Sequence, residues 1–100
     1  MESLSLNQLG LQACLVELSG PRYTPAGIPA VDAVLEHASE QIESGQTRQV
    51  ALKVKTVAFG AVAEALSRQA LGSRWQFTGF LANTRNGKGV VFHVQDFKPI

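Results

Sequence analysis

One stretch of this chain is spaced like a helix, and its position among the strands limits the fold more than any other feature. Between Gly60 and Gly72, Val62, Ala65, Leu66 and Ala70 recur along one stripe, and a glycine just past the last turn is a common helix stop. The spacing predicts a helix from Ala61 to Leu71. On either side the pattern has period two, as strands require. Strand one runs from about Asn7 to Leu18, with Leu9, Leu11, Ala13 and Leu15 on one side and Gly10, Gln12, Cys14 and Val16 on the other. Ser19-Gly20-Pro21 is read as its end. The turn Tyr23-Thr24-Pro25-Ala26-Gly27-Ile28-Pro29 then delivers the chain into strand two, about Ile28 to Ser39, whose apolar face is Val31, Ala33 and Leu35. The polar run from Glu40 to Gln46 reads as a loop. Strand three, Arg48 to Ala58, sets Val50, Leu52 and Val54 against Gln49, Ala51, Lys53 and Lys55. After the helix, strand four (Ser73 to Ala82) sets Trp75, Phe77 and Leu81 against Arg74, Gln76, Thr78 and Phe80. Asn86-Gly87 marks a tight turn into strand five, Val90 to Phe97.

Three strands, one helix and two strands are the order of an OB barrel. The expected fold is all-β with one short helix: a five-stranded OB-fold barrel whose helix plugs one end. A length of 100 residues leaves room for one core, so residues 1–100 are read as a single domain. Hydrophobic residues make up 45% and charged residues 17%, a globular balance rather than a disordered one. No apolar run approaches the ~20 residues of a membrane helix, and Met1-Glu2-Ser3 is not the basic start of a targeting segment. The expected location is the cytoplasm. Cys14 is the only cysteine, which leaves no intrachain disulfide and no cysteine-based zinc cage; it reads as a small apolar filler.

Catalysis finds little support. The carboxylates are scattered, His37 and His93 stand alone on different strands with no ligand-spaced partner, and no Gly-rich phosphate loop precedes the helix. Neither an enzyme nor a metal or other cofactor is expected. Binding is better supported. In OB barrels the outer face of strands two and three, with the loops joining strands one to two and four to five, takes oligonucleotides. Those positions hold Arg22, Tyr23, Arg48, Lys53, Lys55, Arg85 and Lys88. The cations would follow phosphates, while Tyr23 and Phe80 could stack on bases. A net charge of +1 makes the chain no general polyanion binder, and Asp32 and Glu36 lie on the same outer side. With about four phosphates neutralised, the salt slope on a single strand would be near −3. Trp75 falls on the inner face and reads as core. Strand one is apolar on both faces, so Leu9, Leu11, Cys14 and Val16 are the expected dimer seam.

Several of these segments together suggest a family. Arg22-Tyr23-Thr24-Pro25-Ala26-Gly27, the Val-rich third strand, Phe59-Gly60-Ala61-Val62-Ala63-Glu64-Ala65-Leu66 and Trp75-Gln76-Phe77-Thr78-Gly79-Phe80-Leu81 resemble bacterial single-stranded DNA-binding protein. The sequence ends at Ile100 without that protein's long, acidic-tipped tail, and within the superfamily it is more similar to the primosomal replication protein N (PriB) family. Gly27-Ile28-Pro29, Leu35-Glu36-His37, Arg48-Gln49 and Asn86-Gly87 carry that second resemblance. The resemblance implies a homodimer acting in replication restart, with single-stranded DNA, the PriA helicase and DnaT as partners. It also implies DNA contacts at Arg22, Arg85 and Lys88. Where strong DNA binders of the family carry a tryptophan on strand three, this chain has Ala51. A second aromatic is replaced by Gln46, a basic residue by Ala38 and a loop lysine by Asn83. Lost stacking and lost charge both thin the groove, so weak DNA binding is expected.

Two alternatives belong to other classes. One is a protein-interaction barrel, a helicase adaptor with negligible DNA affinity, which would be favoured if Asp32 and Glu36 sat among the cations. The other is a cold-shock-like RNA binder, disfavoured because strands two and three lack paired aromatics.

Overall fold

A computed structural model describes residues 5–100; residues 1–4, which include the start read above as carrying no targeting signal, lie outside them. The elements are β1 (Leu9–Tyr23), β2 (Pro29–Glu43), β3 (Gln46–Phe59), α1 (Ala61–Ser67), β4 (Arg74–Asn83) and β5 (Val90–Lys98). The strands close in the order β1-β2-β3-β5-β4, with β4 returning to β1. All neighbours are antiparallel except β3 and β5, which run parallel through Thr56↔Phe92 and Val57↔His93. This is the five-stranded OB barrel that the element order predicts. No helix of the described residues is long and apolar enough to cross a membrane.

The alternation read from the sequence sorts the barrel's inside from its outside. Ala13, Leu15, Val31, Ala33, Leu35, Ala58, Phe77, Phe92 and Val94 are buried together with Ala63 and Leu66 of the helix. Trp75 packs at the margin of this cluster, edge-on to Phe97 at 5.1 Å, and its indole N–H donates to Ser73 Oγ at 2.9 Å. The inward reading of Trp75 therefore holds. The helix rests on β1, β2, β3 and β5 and covers one end of the barrel. It is shorter than the glycine bracket suggests. Arg68 is its C-cap, and backbone bonds from Arg68 N–H to Ala65 C=O and from Gln69 N–H to Leu66 C=O finish the last turn. Ala70 lies beyond it and is exposed.

Two segments read as breaks are strand. Ser19-Gly20-Pro21 does not end β1; the chain slips register against β2 between Ser19 and Arg22, then pairs again through Arg22↔Ala30 and Tyr23↔Pro29. A bulge accommodates a proline because the extra residue needs no ladder bond. Residues 40–43 and 46 do not form a loop either. They continue an unbroken β2–β3 ladder to Glu43↔Gln46, closed by Ser44 and Gly45 with φ of 51° and 73°. Positive φ at both central residues is the type I′ signature, whose twist suits a two-residue hairpin. The polarity of this run signals exposure on both faces, not the absence of a strand.

β2 leaves β1 after Glu36, so residues 37–43 and their β3 partners form an arm roughly 23 Å long at ~3.3 Å per residue. Ile42 is 72% exposed there. The radius of gyration, 14.7 Å, exceeds the ~13 Å of a compact 100-residue domain, as a projecting arm requires.

Two glycines make this geometry testable. β5 carries one extra residue, Gln95, between the partners of Thr78 and Gly79, and a Cβ at Gly79 would overlap the His93 carbonyl oxygen. Gly79→Ala is expected to cost about 3 kcal/mol and lower the melting temperature by more than about 10 °C. At Gly45 a Cβ meets open space, and only the positive φ opposes it. Gly45→Ala should therefore cost only about 1–2 kcal/mol in the same thermal melts.

Candidate nucleic-acid interface

The outer face of the sheet forms a groove bounded by β1, β2, β3 and the loop between β4 and β5. Its walls enclose about 720 Å³. Arg22 enters from the end of β1, Lys55 from β3 and Arg85 from the β4–β5 loop. A smaller hollow of about 290 Å³ adjoins it, lined by Lys55, Lys88 and the loop residues around Asn86. Lys55 belongs to both, so the cations of three separate segments follow one continuous channel.

Local structure fixes both flanking loops. In the β1–β2 turn, Thr24 N–H donates to Ile28 C=O at 2.9 Å, Gly27 N–H to Thr24 C=O at 2.8 Å, and Ile28 N–H to Thr24 Oγ1 at 3.1 Å. Residues 84–89 are held by Thr84 N–H donating to Gly89 C=O at 2.9 Å and by Asn86 Oδ1, which accepts from Thr84 Oγ1 at 2.8 Å and Lys88 N–H at 3.0 Å. Asn86 thus ties down the backbone beneath the Lys88 side chain.

Acidic residues share the channel. Asp32 and Glu17 line the larger groove, and Asp32 engages Arg22 in a fork: Nε to Oδ2 at 2.8 Å and a second guanidinium nitrogen to Oδ1 at 3.1 Å. The hydrogen bond that Arg22 donates to Asp32, then the Asp32 charge, raises the Arg22 pKa above its ordinary value. Arg22 is thus fully charged but already partnered. Lys53 extends the same face along β3 but lies 3.8 Å from Glu36 across the ladder, and it lines neither hollow. Lys55, Arg85 and Lys88 make no ion pair among the described residues.

Other expected site residues are dispersed. Arg48 lies near the tip of the arm, its Nε 2.8 Å from Glu43 Oε1. Tyr23 is 67% exposed at the end of β1 and lies outside the groove lining. Phe80 is also off the lining: it stacks on His93 at 4.8 Å with the rings 10° from parallel, a half-buried wall element behind the groove. The aromatic that does reach the groove is Phe59, one residue past the strand-three end read from the sequence at Ala58. Strand three continues to Phe59, so the parity that turns Lys55 outward turns Phe59 outward too. Its ring also stacks on His93, at 5.9 Å, and Phe59 remains 42% exposed. His93, a lone strand residue in the sequence, also lines the groove. His37 is satisfied structurally: its Nδ1–H donates to Gln12 C=O at 2.6 Å, and its Nε2 lies 2.7 Å from Ser39 Oγ.

The four residues expected at a dimer seam do not form one surface. Leu9 and Leu11 pack inward against the core cluster, whereas Cys14 alternates to the outer face, paired with Glu36 and Arg74, and Val16 occupies a bulge. One edge of β1 is nevertheless open. From Leu9 to Ala13 it pairs only with β4, because β2 joins at Cys14.

Comparisons with known proteins agree with this geometry. The model of a family described as another single-strand binding protein family matches residues 7–96. Replication restart protein PriB of Bordetella pertussis is 40% identical over 96 residues, covering 95% of this chain and 90% of that protein. Crystalline PriB from Ralstonia solanacearum superposes with a TM-score of 0.88 at 37% identity, over 95% of this chain and 98% of the other. The single-strand-binding domain of a Synechococcus protein shares the fold, with a TM-score of 0.72 at 23% identity over 96% of this chain and 98% of that one. On these matches the chain belongs to the single-strand binding protein family, within its replication restart protein PriB branch.

Proposed function

We propose that this protein is a replication-restart accessory factor that binds single-stranded DNA weakly and the PriA helicase, and helps assemble a primosome with DnaT in the bacterial cytoplasm. The convergence of Lys55, Arg85 and Lys88 on one channel of an OB barrel carries the DNA part of this reading. Family membership supports the replication part. The protein acts by binding rather than by catalysis. Phosphates run past the three free cations, and specificity for base sequence is slight because such contacts read the backbone.

A protein-interaction module without DNA affinity is the second reading. Asp32 favours it, because it occupies the groove and holds the Arg22 guanidinium.

Assembly as a homodimer fits the open edge of β1, where a second copy could add to Leu9–Ala13 and cover the half-buried Leu9 and Leu11. Sedimentation velocity at micromolar concentration is expected to show one species at twice the 10.7 kDa chain mass; a sole monomer would refute the seam.

DNA binding is read by fluorescence anisotropy of a labelled oligothymidine across a salt series, with duplex DNA as control. With three free cations the slope of log K against log salt should be about −2, and Lys55→Ala or Lys88→Ala should each make it shallower by about 0.7. Asp32→Asn should tighten binding and steepen the slope toward about −3, because it frees Arg22 for a fourth phosphate. Absence of binding by the unmodified protein at low salt would eliminate the DNA role and leave the adaptor reading, tested by titration against PriA.

A further inference from the structure

We propose that Asn86-Gly87, in the loop between β4 and β5, is a site of spontaneous deamidation that places a negative charge among the cations of the channel. The chemistry needs no reagent beyond water. The Gly87 amide nitrogen gives up its proton to solvent base and bonds to Asn86 Cγ; the Cγ–Nδ2 bond breaks and, with a proton from water, ammonia leaves. Water then opens the cyclic succinimide at either carbonyl, yielding aspartate or isoaspartate in place of the asparagine. The consequence for the channel rests on the proposal that it takes single-stranded DNA, whereas the modification itself does not.

The chain has three asparagines, and only this one meets the requirements of the reaction. The attacking nitrogen belongs to a glycine, which has no side chain to crowd ring closure, whereas Asn7 precedes Gln8 and Asn83 precedes the branched Thr84. Asn7 is also locked, its Nδ2 donating to Leu81 C=O at 2.8 Å and its Oδ1 accepting from Leu81 N–H at 3.0 Å. Asn83 is held in the ladder opposite Val90. Asn86 and Gly87 are both exposed in a turn. Two donors already converge on the Asn86 amide oxygen, the Thr84 hydroxyl at 2.8 Å and Lys88 N–H at 3.0 Å. Donors so placed polarise the carbonyl and meet the negative charge that develops on its oxygen as nitrogen adds. Arg85 and Lys88 flank the dipeptide, make no ion pair among the described residues and favour the deprotonated nitrogen. The turn also meters the reaction. Gly87 N–H donates to Thr84 C=O at 2.8 Å and must be released before its nitrogen can attack, so the rate follows local opening of the loop. The product is a carboxylate in the hollow that Asn86 shares with Lys55 and Lys88. It offsets one free cation, and isoaspartate adds a backbone carbon inside the loop that Thr84 N–H closes onto Gly89 C=O.

The test incubates the whole protein at neutral and mildly alkaline pH and follows its peptides by mass spectrometry, with electron-based fragmentation to separate aspartate from isoaspartate. Conversion is expected at Asn86 with both products, accelerating several-fold per pH unit, while Asn7 and Asn83 stay intact. Asn86 converting no faster than Asn83 would overturn the site. Fresh and incubated protein are then titrated with the labelled oligothymidine across the salt series. Incubated protein should bind more weakly, with a slope shallower by about 0.7, the equivalent of one cation. Asn86→Asp should show that shallower slope without incubation. Asn86→Gln, whose longer side chain closes a ring far more slowly, should behave alike before and after incubation. A matching loss in incubated Asn86→Gln, or full conversion of Asn86 with an unchanged slope, would overturn the effect on the channel. Failure of fresh protein to bind at low salt would overturn the DNA-binding reading and that effect with it, while the mass data alone decide the site.

Discussion

Two pairs of residues close this molecule. Among the described residues, Thr56 beside Phe92 and Val57 beside His93 are the only parallel contacts in an otherwise antiparallel sheet, and without them β3 and β5 would be two free edges of an open sheet. The junction also sets the phase of everything around it. Thr56 and Phe92 turn inward and are buried, with the Thr56 hydroxyl donating to Val54 C=O at 3.2 Å. Val57 and His93 turn to the other face, and the parity carried along β3 from Val57 brings Lys55 and Phe59 out beside them. A core residue, a groove-lining lysine and an exposed ring therefore share one cause. The helix reinforces it by covering the end where β1, β2, β3 and β5 converge.

Charge along the channel is arranged by the same register. Arg22 and Asp32 are brought together because β1 slips between Ser19 and Arg22, and Glu17 reaches the groove because of an earlier slip at Val16. The two bulges place opposite charges where regular strands would have placed others. The resulting groove combines three unpaired cations with a satisfied ion pair and Glu17, a mixed rather than a uniformly positive field. The Arg22–Asp32 fork is about half exposed, so its contribution to stability is modest and its main effect is to lower the charge available to a ligand.

Strand order, core residues and the outward lysines of β3 were legible because one buried face imposes a period of two. The arm was not, since a hairpin wet on both faces needs no alternation, and Glu40 to Gln46 therefore looked like loop. Phe59 is missed by a single residue of boundary: with strand three read only to Ala58 it has no face; with the strand continued to Phe59 it joins Lys55. The pairing of Arg22 with Asp32 depends on a slip at a glycine and proline that the sequence pattern reads as a stop. The aromatic stack joins residues 59, 80 and 93, and only the closed sheet brings them together.

The arm divides the molecule into parts with different tolerances. Ala38 and Ala51 face each other across it, Gln46 sits beside its turn, and all three are exposed with no core residue beneath them. Exchanging them for larger or charged side chains would leave the barrel's packing untouched, while a change at Phe77 or Gly79 could not. Surface chemistry and foldability are thereby separate variables in this chain: side chains on the arm can be exchanged in single steps, with no compensating repair of the core.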